Sequence, residues 1–156
     1  MGDESTITRR SVFAGGAGAV LAASFIGLGE AAESGAAEPA NVKIVNDHLK
    51  SWGAADATGA KLADAYSDDC VLRFEEGKPP ITGKAAAIAT FDGFLAKGVR
   101  FDIKVKESFA RGPVVANSRV DTEVKEGKPG KSVSLVGVFI VHHGKIVEWS
   151  DYLVKA

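Results

Sequence analysis

Asn117-Ser118-Arg119-Val120-Asp121-Thr122-Glu123 and Trp149-Ser150-Asp151-Tyr152 are the two stretches whose reading decides the fold. In both, apolar and polar residues alternate with a period of two, as in β-strands lying on a core. In the first, Val114, Ala116, Val120 and Val124 fall on one face, and Asn117, Arg119, Asp121 and Glu123 on the other. Side chains two residues apart on a strand point the same way, which sets Arg119 beside Asp121. In the second, Asp151 shares its face with Val147, Trp149 and Leu153, so a carboxylate is planted in an apolar row. An unpaired buried charge is costly, so Asp151 is protonated, paired with a cation, or at an open edge.

Outward from these strands the period stays at two. Val99, Phe101, Ile103 and Val105 alternate with Arg100, Asp102, Lys104 and Lys106, and Arg111-Gly112-Pro113 turns that strand into the Arg119 strand. Glu126-Gly127-Lys128-Pro129-Gly130 turns the chain into Ser132 to Val141, and His143-Gly144 makes a tight turn into the last strand. Before residue 99 the spacing is helical. Val42, Val45, Leu49 and Trp52 form one stripe after a start at Glu38-Pro39-Ala40-Asn41. Asp56 or Thr58 caps a short second helix carrying Leu62, Ala65 and Tyr66. Cys70 to Glu75 reads as a strand, Gly77-Lys78-Pro79-Pro80 as a loop, and Thr82 as the cap of a third helix burying Ile88, Phe91 and Leu95. Helices first and a four-strand meander last predict an α+β domain, a curved sheet wrapped around three N-terminal helices with a pocket on its concave side.

The chain has 156 residues, enough for one domain beyond a leader. Lys and Arg total 19 against 20 Asp and Glu, with no basic patch and interleaved aromatics, so nucleic acid is not expected as a partner. The single cysteine, Cys70, rules out an internal disulfide and a cysteine-based zinc site, and its place before an apolar run predicts core packing. Thr8-Arg9-Arg10-Ser11-Val12-Phe13 sets paired arginines ahead of a Gly/Ala-rich run, Ala14 to Gly29, in the manner of a twin-arginine export signal. Residues 1–36 are therefore read as that signal and 37–156 as the domain, with cleavage sites at Ser34-Gly35-Ala36 or Gly29-Glu30-Ala31. The mature chain is expected in the periplasm or outside the cell, meeting a membrane only during export.

If Arg119, Asp121 and Asp151 share the inner face, they make an acid–cation–acid cluster at the pocket floor. Two carboxylates held close cannot both ionise cheaply, and a bridging arginine orients both. One can then give a proton while the other takes one at the same pH. The bland alternative is an exposed cross-strand Arg–Asp pair, which does little. Elsewhere, His142-His143 on a turn has no carboxylate pair beside it, so no metal is expected. His48 borders the core, Tyr66 packs in it, and Tyr152 alternates away from Asp151 to the outside.

Ser118-Arg119-Val120-Asp121, Gly137-Val138-Phe139-Ile140-Val141 and Gly144-Lys145-Ile146-Val147-Glu148-Trp149-Ser150-Asp151-Tyr152 together resemble the limonene-1,2-epoxide hydrolase family. The element order resembles the wider nuclear-transport-factor-2-like superfamily, which includes ketosteroid isomerases and polyketide cyclases. The resemblance implies a cone-shaped homodimeric domain that takes a small apolar substrate and needs no cofactor. It also implies one-step opening of an epoxide to a diol by water, with Asp151 as base, Asp121 as acid and Arg119 bridging them. The family's water-holding Tyr and Asn fall on Arg73 and Glu75 here, or on Leu72 and Phe74 after a slip of one residue. Asn117, two residues before Arg119 on the same face, is the candidate replacement, and Trp149 the neighbour of Asp151. An isomerase or cyclase that moves a proton without attacking water, and a non-catalytic small-molecule-binding module, are the competing functions.

Overall fold

The computed structural model describes residues 26–154. Its elements are helices α1 (Ile26–Ser51), α2 (Gly59–Ala63) and α3 (Lys84–Leu95) with strands β1 (Tyr66–Arg73), β2 (Ile81–Thr82), β3 (Val99–Arg111), β4 (Val114–Lys125), β5 (Lys128–His142) and β6 (Lys145–Leu153). One six-stranded sheet runs β2-β1-β6-β5-β4-β3. The meander β3 to β6 is antiparallel throughout, and β1 adds to β6 in parallel. This is the expected α+β sheet with helices gathered at the start of the chain.

Two of the hairpins turn on left-handed pairs, Glu126 (φ 53°) with Gly127 (φ 73°) and His143 (φ 49°) with Gly144 (φ 74°). Such two-residue turns match the twist of the strands they join and fix their register. The β3–β4 turn at Gly112 is held from α1, whose Glu38 Oε1 accepts the Gly112 N–H at 2.8 Å while Asn41 Nδ2 donates to the Gly112 carbonyl at 3.1 Å. Those bonds lay the Val45, Leu49 and Trp52 stripe of α1 onto the inner sheet face, where all three are buried.

Several local expectations change. Helix α1 begins at Ile26 and contains Pro39, so Glu38–Asn41 lies within it rather than at its start; the Ala- and Glu-rich residues upstream favour helix. Thr58 caps α2, accepting the Lys61 N–H at 3.2 Å. Tyr66 and Ala65 lie beyond that helix, and Tyr66 opens β1, paired with Ile146. Thr82 belongs to β2, opposite Val71, and α3 is preceded by Gly83 at φ 86° with no side-chain cap. On β6 the phase slips. Val141 pairs with Ile146 but Ile140 with Glu148, so Val147 is an extra, bulged residue. Ile146, not Val147, therefore shares the inner row with Trp149 and Asp151. The twin-arginine stretch lies outside the described residues, and among those described no helix is long and apolar enough to cross a membrane.

Cys70 and Tyr66 are fully buried, as expected. His48 is deeper than its place beside the stripe suggested, only 4 % exposed. Its Nε2 accepts from Trp52 Nε1 at 3.3 Å and lies 2.8 Å from the Tyr66 hydroxyl. Indole N–H can only donate, so Nε2 is the acceptor and a neutral ring carries its proton on Nδ1. Burial first, and the nearby Arg119 charge second, push the imidazole pKa down to about 3. A depressed pKa means that the unfolded chain takes up this proton first, so stability falls with pH below the ordinary histidine value and levels off near pH 3. Asp121 and Asp151, whose pKa values are raised by burial, act with the opposite sign. The difference between wild type and His48→Gln in urea unfolding should therefore shrink as pH is lowered from about 6.5 to 3, by on the order of 5 kcal/mol in all. A difference independent of pH would show the ring to be protonated in the native state.

Candidate functional site

Register builds the site. On the inner face Asn117 of β4 pairs with Gly137 of β5, which pairs with Asp151 of β6. One row away Arg119 pairs with Val105 and Leu135, and in the next Asp121 pairs with Ile103 and Val133. The polar face of β4 is thus the inner one, and Val114 of the opposite face is 39 % exposed.

Arg119 is 1 % exposed and meets an acceptor in three directions. Nε donates to both oxygens of Asp121, at 3.0 and 3.2 Å. Nη2 donates to Asp151 Oδ2 at 2.6 Å, and Nη1 to Asn117 Oδ1 at 3.2 Å. Trp149 Nε1 donates to Asp151 Oδ1 at 2.6 Å, and the guanidinium lies 5.5 Å from the Trp149 ring centre, within cation–π range. Both carboxyl pKa values are raised, by burial in the first place and against the pull of Arg119. A guanidinium with one ionised and one protonated carboxyl is neutral, the state a water-poor site favours. Asp151 takes two short donors on separate oxygens, while Asp121 shares a single Nε–H. Asp121 is thus the better placed of the two to hold a shared proton, and Asp151 is the stronger candidate base.

The cluster opens on a cavity of about 370 Å³ between sheet and helices, lined by Trp52, Phe74, Phe94, Phe101, Ile103, Val133, Leu135, Trp149 and Leu153 with Asp121, Asp151, Glu75 and Glu123. Of the four residues expected to position substrate or water, Trp149 and Glu75 line this cavity and two do not. Arg73 pairs with Ser150, lies on the outer face and is bonded to Glu148. Asn117 is 1 % exposed, accepts from Arg119 through its carbonyl oxygen, and keeps a buried Nδ2 that has no hydrogen-bond partner among the described residues. Glu75 reaches the rim because β1 ends at Arg73, which frees the chain from strict alternation. Among the described residues no group of three His, Cys, Asp or Glu could hold a metal.

The family model for the SnoaL-like domain matches residues 45–149. The chain belongs to the SnoaL-like domain family. Solved structures of similar fold include an LEH-like epoxide hydrolase from M. tuberculosis, 23% identical with a TM-score of 0.65, covering 75% of this chain and 84% of that one. A putative SnoaL-like polyketide cyclase from Jannaschia is 23% identical at a TM-score of 0.59, covering 74% and 86%. A protein of ketosteroid isomerase-like fold from Catenulispora acidiphila, in complex with trimethylamine, is 15% identical at 0.59, covering 70% and 84%. At these identities the likeness is one of fold.

Within this SnoaL-like domain the residue that sequence reading passed over is Gly137. A Cβ there would stand 2.1 Å from Arg119 Nη1, 2.9 Å from Phe139 Cε2 and 3.0 Å from Asn117 Oδ1. The guanidinium crosses from the Asn117 side to Asp151 directly above this Cα, so the absent side chain is the space that the cation fills. No signal in a single sequence marks it, because the demand comes from residues on two other strands. Gly137→Ala should destabilise the protein by about 1–3 kcal/mol, the usual cost of overpacking. In an Arg119→Ala background the same change should cost far less, giving a coupling of about 1 kcal/mol or more in a double-mutant cycle. Additive effects would dissociate the glycine from the cation.

Proposed function

We propose that this protein is a hydrolase that opens a small apolar epoxide to a diol, with water as the nucleophile and no covalent intermediate. Asp151 removes a proton from the attacking water, Asp121 gives its proton to the epoxide oxygen, and Arg119 holds both carboxyl groups in place. The observation that carries this reading is one buried guanidinium bonded to two largely buried carboxyls, both at the wall of a mainly apolar cavity. Opening an epoxide by water needs a base on one side and an acid at the leaving oxygen, and the cluster has both at one pH. Each oxygen of Asp151 keeps a lone pair after accepting from Arg119 or Trp149, so the water has a place to bond. The solved LEH-like fold relative lends this reading support.

A second reading has its own observation. With Arg73 turned outward and Asn117 behind the cavity wall, a water in the cavity has no neutral side-chain partner from those positions. That favours proton transfer on an enolisable carbonyl, with Asp151 as the shuttle and no water attacking, as an isomerase or cyclase would use it.

We also infer that two copies meet through the outer sheet face. Phe109, Val114, Val136 and Tyr152 there are 64, 39, 37 and 51 % exposed, apolar side chains gathered on one sheet face.

Incubation with a panel of cyclic epoxides in oxygen-labelled water should yield diols labelled at one oxygen. Asp151→Asn and Asp121→Asn should each lower the rate by about 10²- to 10⁴-fold. The kcat/KM profile should be bell-shaped, falling at low pH as the base is protonated and at high pH as the acid loses its proton. Burial raises both carboxyl pKa values, so both limbs should lie above the ordinary aspartate value of 3.8. Hydrogen exchange into a ketone without any diol would select the second reading, and neither activity would leave a binding domain. For the assembly, Val136→Lys should convert a dimer to a monomer in sedimentation, and a wild-type monomer would refute it.

A further inference from the structure

Five of the rings lining the cavity form a closed circuit. Trp52 meets Phe101 at 5.6 Å and 83°, Phe101 meets Phe94 at 6.3 Å and 88°, and Phe94 meets Phe74 at 6.3 Å and 69°. Phe74 meets Trp149 at 4.8 Å and 81°, and Trp149 returns to Trp52 at 6.3 Å and 71°. Trp52 also meets Phe94 at 6.3 Å and 64°, so the circuit is a box folded across that contact and not a stack. A purely hydrocarbon ligand needs no such arrangement, and aliphatic side chains would serve it as well. Ring faces carry negative potential, and a box of them attracts a cation of low hydration.

The polar lining points the same way. Every titratable side chain on the cavity wall is a carboxylate: Asp121 and Asp151 at the floor, Glu75 and Glu123 at the exposed rim. The cations bonded to these groups are Arg119 behind the floor and Lys78, which pairs with Glu75. With one proton shared in the floor cluster, three ionised carboxylates face those two cations and leave an excess of one negative charge, on Glu123. Among the described residues no Lys, Arg or His lies within ion-pair distance of Glu123. Low-dielectric walls concentrate such a field inside a cleft, and it repels anions while drawing in cations.

We propose that the ligand of this cavity carries an alkylated ammonium group on an apolar body, with the ammonium in the five-ring box and Glu123 as its principal counter-charge. The proposal names the substrate class of the same site as the hydrolytic reading, and rests on that reading only for the reacting epoxide. The charge preference is a matter of binding. An ammonium of this kind is large and weakly hydrated, so it gives up water more cheaply than a bare metal ion does.

The two tryptophans of the chain are Trp52 and Trp149, both on the cavity wall, so intrinsic fluorescence of the full-length protein reports its occupancy directly. Titration with benzyltrimethylammonium should give a Kd at least about tenfold lower than that for its neutral carbon isostere, neopentylbenzene. Phenylacetate should bind more weakly than either. Glu123→Gln should weaken the cation several-fold and leave the neutral isostere unchanged, and Phe101→Leu should do the same through loss of a wall. High salt should weaken the cation alone. Equal or tighter binding of the neutral compound, or a cation affinity untouched by both substitutions, would overturn the proposal. Asp151→Asn separates the two readings, because it should abolish epoxide opening while the cation still binds. Turnover of neutral epoxides without cation preference refutes only the ammonium class, and cation binding without epoxide opening refutes only the hydrolase.

Discussion

A guanidinium taken out of water loses several kcal/mol of hydration, and this domain returns that cost from three strand positions around Arg119. Asn117, Asp121 and Asp151 each face one side of it, two from its own strand and one from β6 across β5. No one of them would suffice, since a charge with a missing partner destabilises more than a neutral gap. The sheet register, the left-handed hairpin turns and the bare Cα of Gly137 all serve to bring those acceptors to one point. The site is therefore a structural necessity of the fold as well as a chemical opportunity.

Trp149 ties that polar cluster to the hydrophobic core. Its indole N–H fixes one oxygen of Asp151, and its ring packs on Phe139 at 5.2 Å, on Phe74 and on His48. His48 in turn orients Trp52 and Tyr66 through one nitrogen. A change in α1 is thus felt at the carboxylate through two aromatic contacts, without any flexible link between them. Rigid supports of this sort keep a base at fixed distance from its substrate, which matters more for rate than the identity of the supporting residues.

Much of this was legible in the chain itself. A period of two placed Arg119 beside Asp121, and a charge in the apolar row of β6 announced that Asp151 needed a partner. The stripe of α1 and the positions of its turns were equally plain. What could not be read was anything set by cross-strand register. The bulge at Val147 moved Ile146 into the inner row because two strands of unequal count had to meet. Arg73 and Glu75 share a face on paper, yet β1 stops between them and only Glu75 turns to the rim. Asn117 gives its carbonyl oxygen to Arg119 and stands behind the cavity wall. Its alignment on the inner face was apparent, but its commitment was not. The two-residue β2 is too short to carry any pattern at all.

The extra residue in β6 has a consequence for how such a domain changes over time. Upstream of Val147 the strand is anchored to β1 through Ile146 and Tyr66, and downstream it carries Trp149 and Asp151. Removing that single residue would restore plain alternation with every pairing kept, so Ile146, Trp149 and Asp151 stay in one row and only the extra local twist is lost. Removing Ser150 instead would set Asp151 opposite Val138, on the outer face, and silence the chemistry while most of the hydrophobic interior survives. A codon can thus be spared at one point of this strand and at no point between there and the acid.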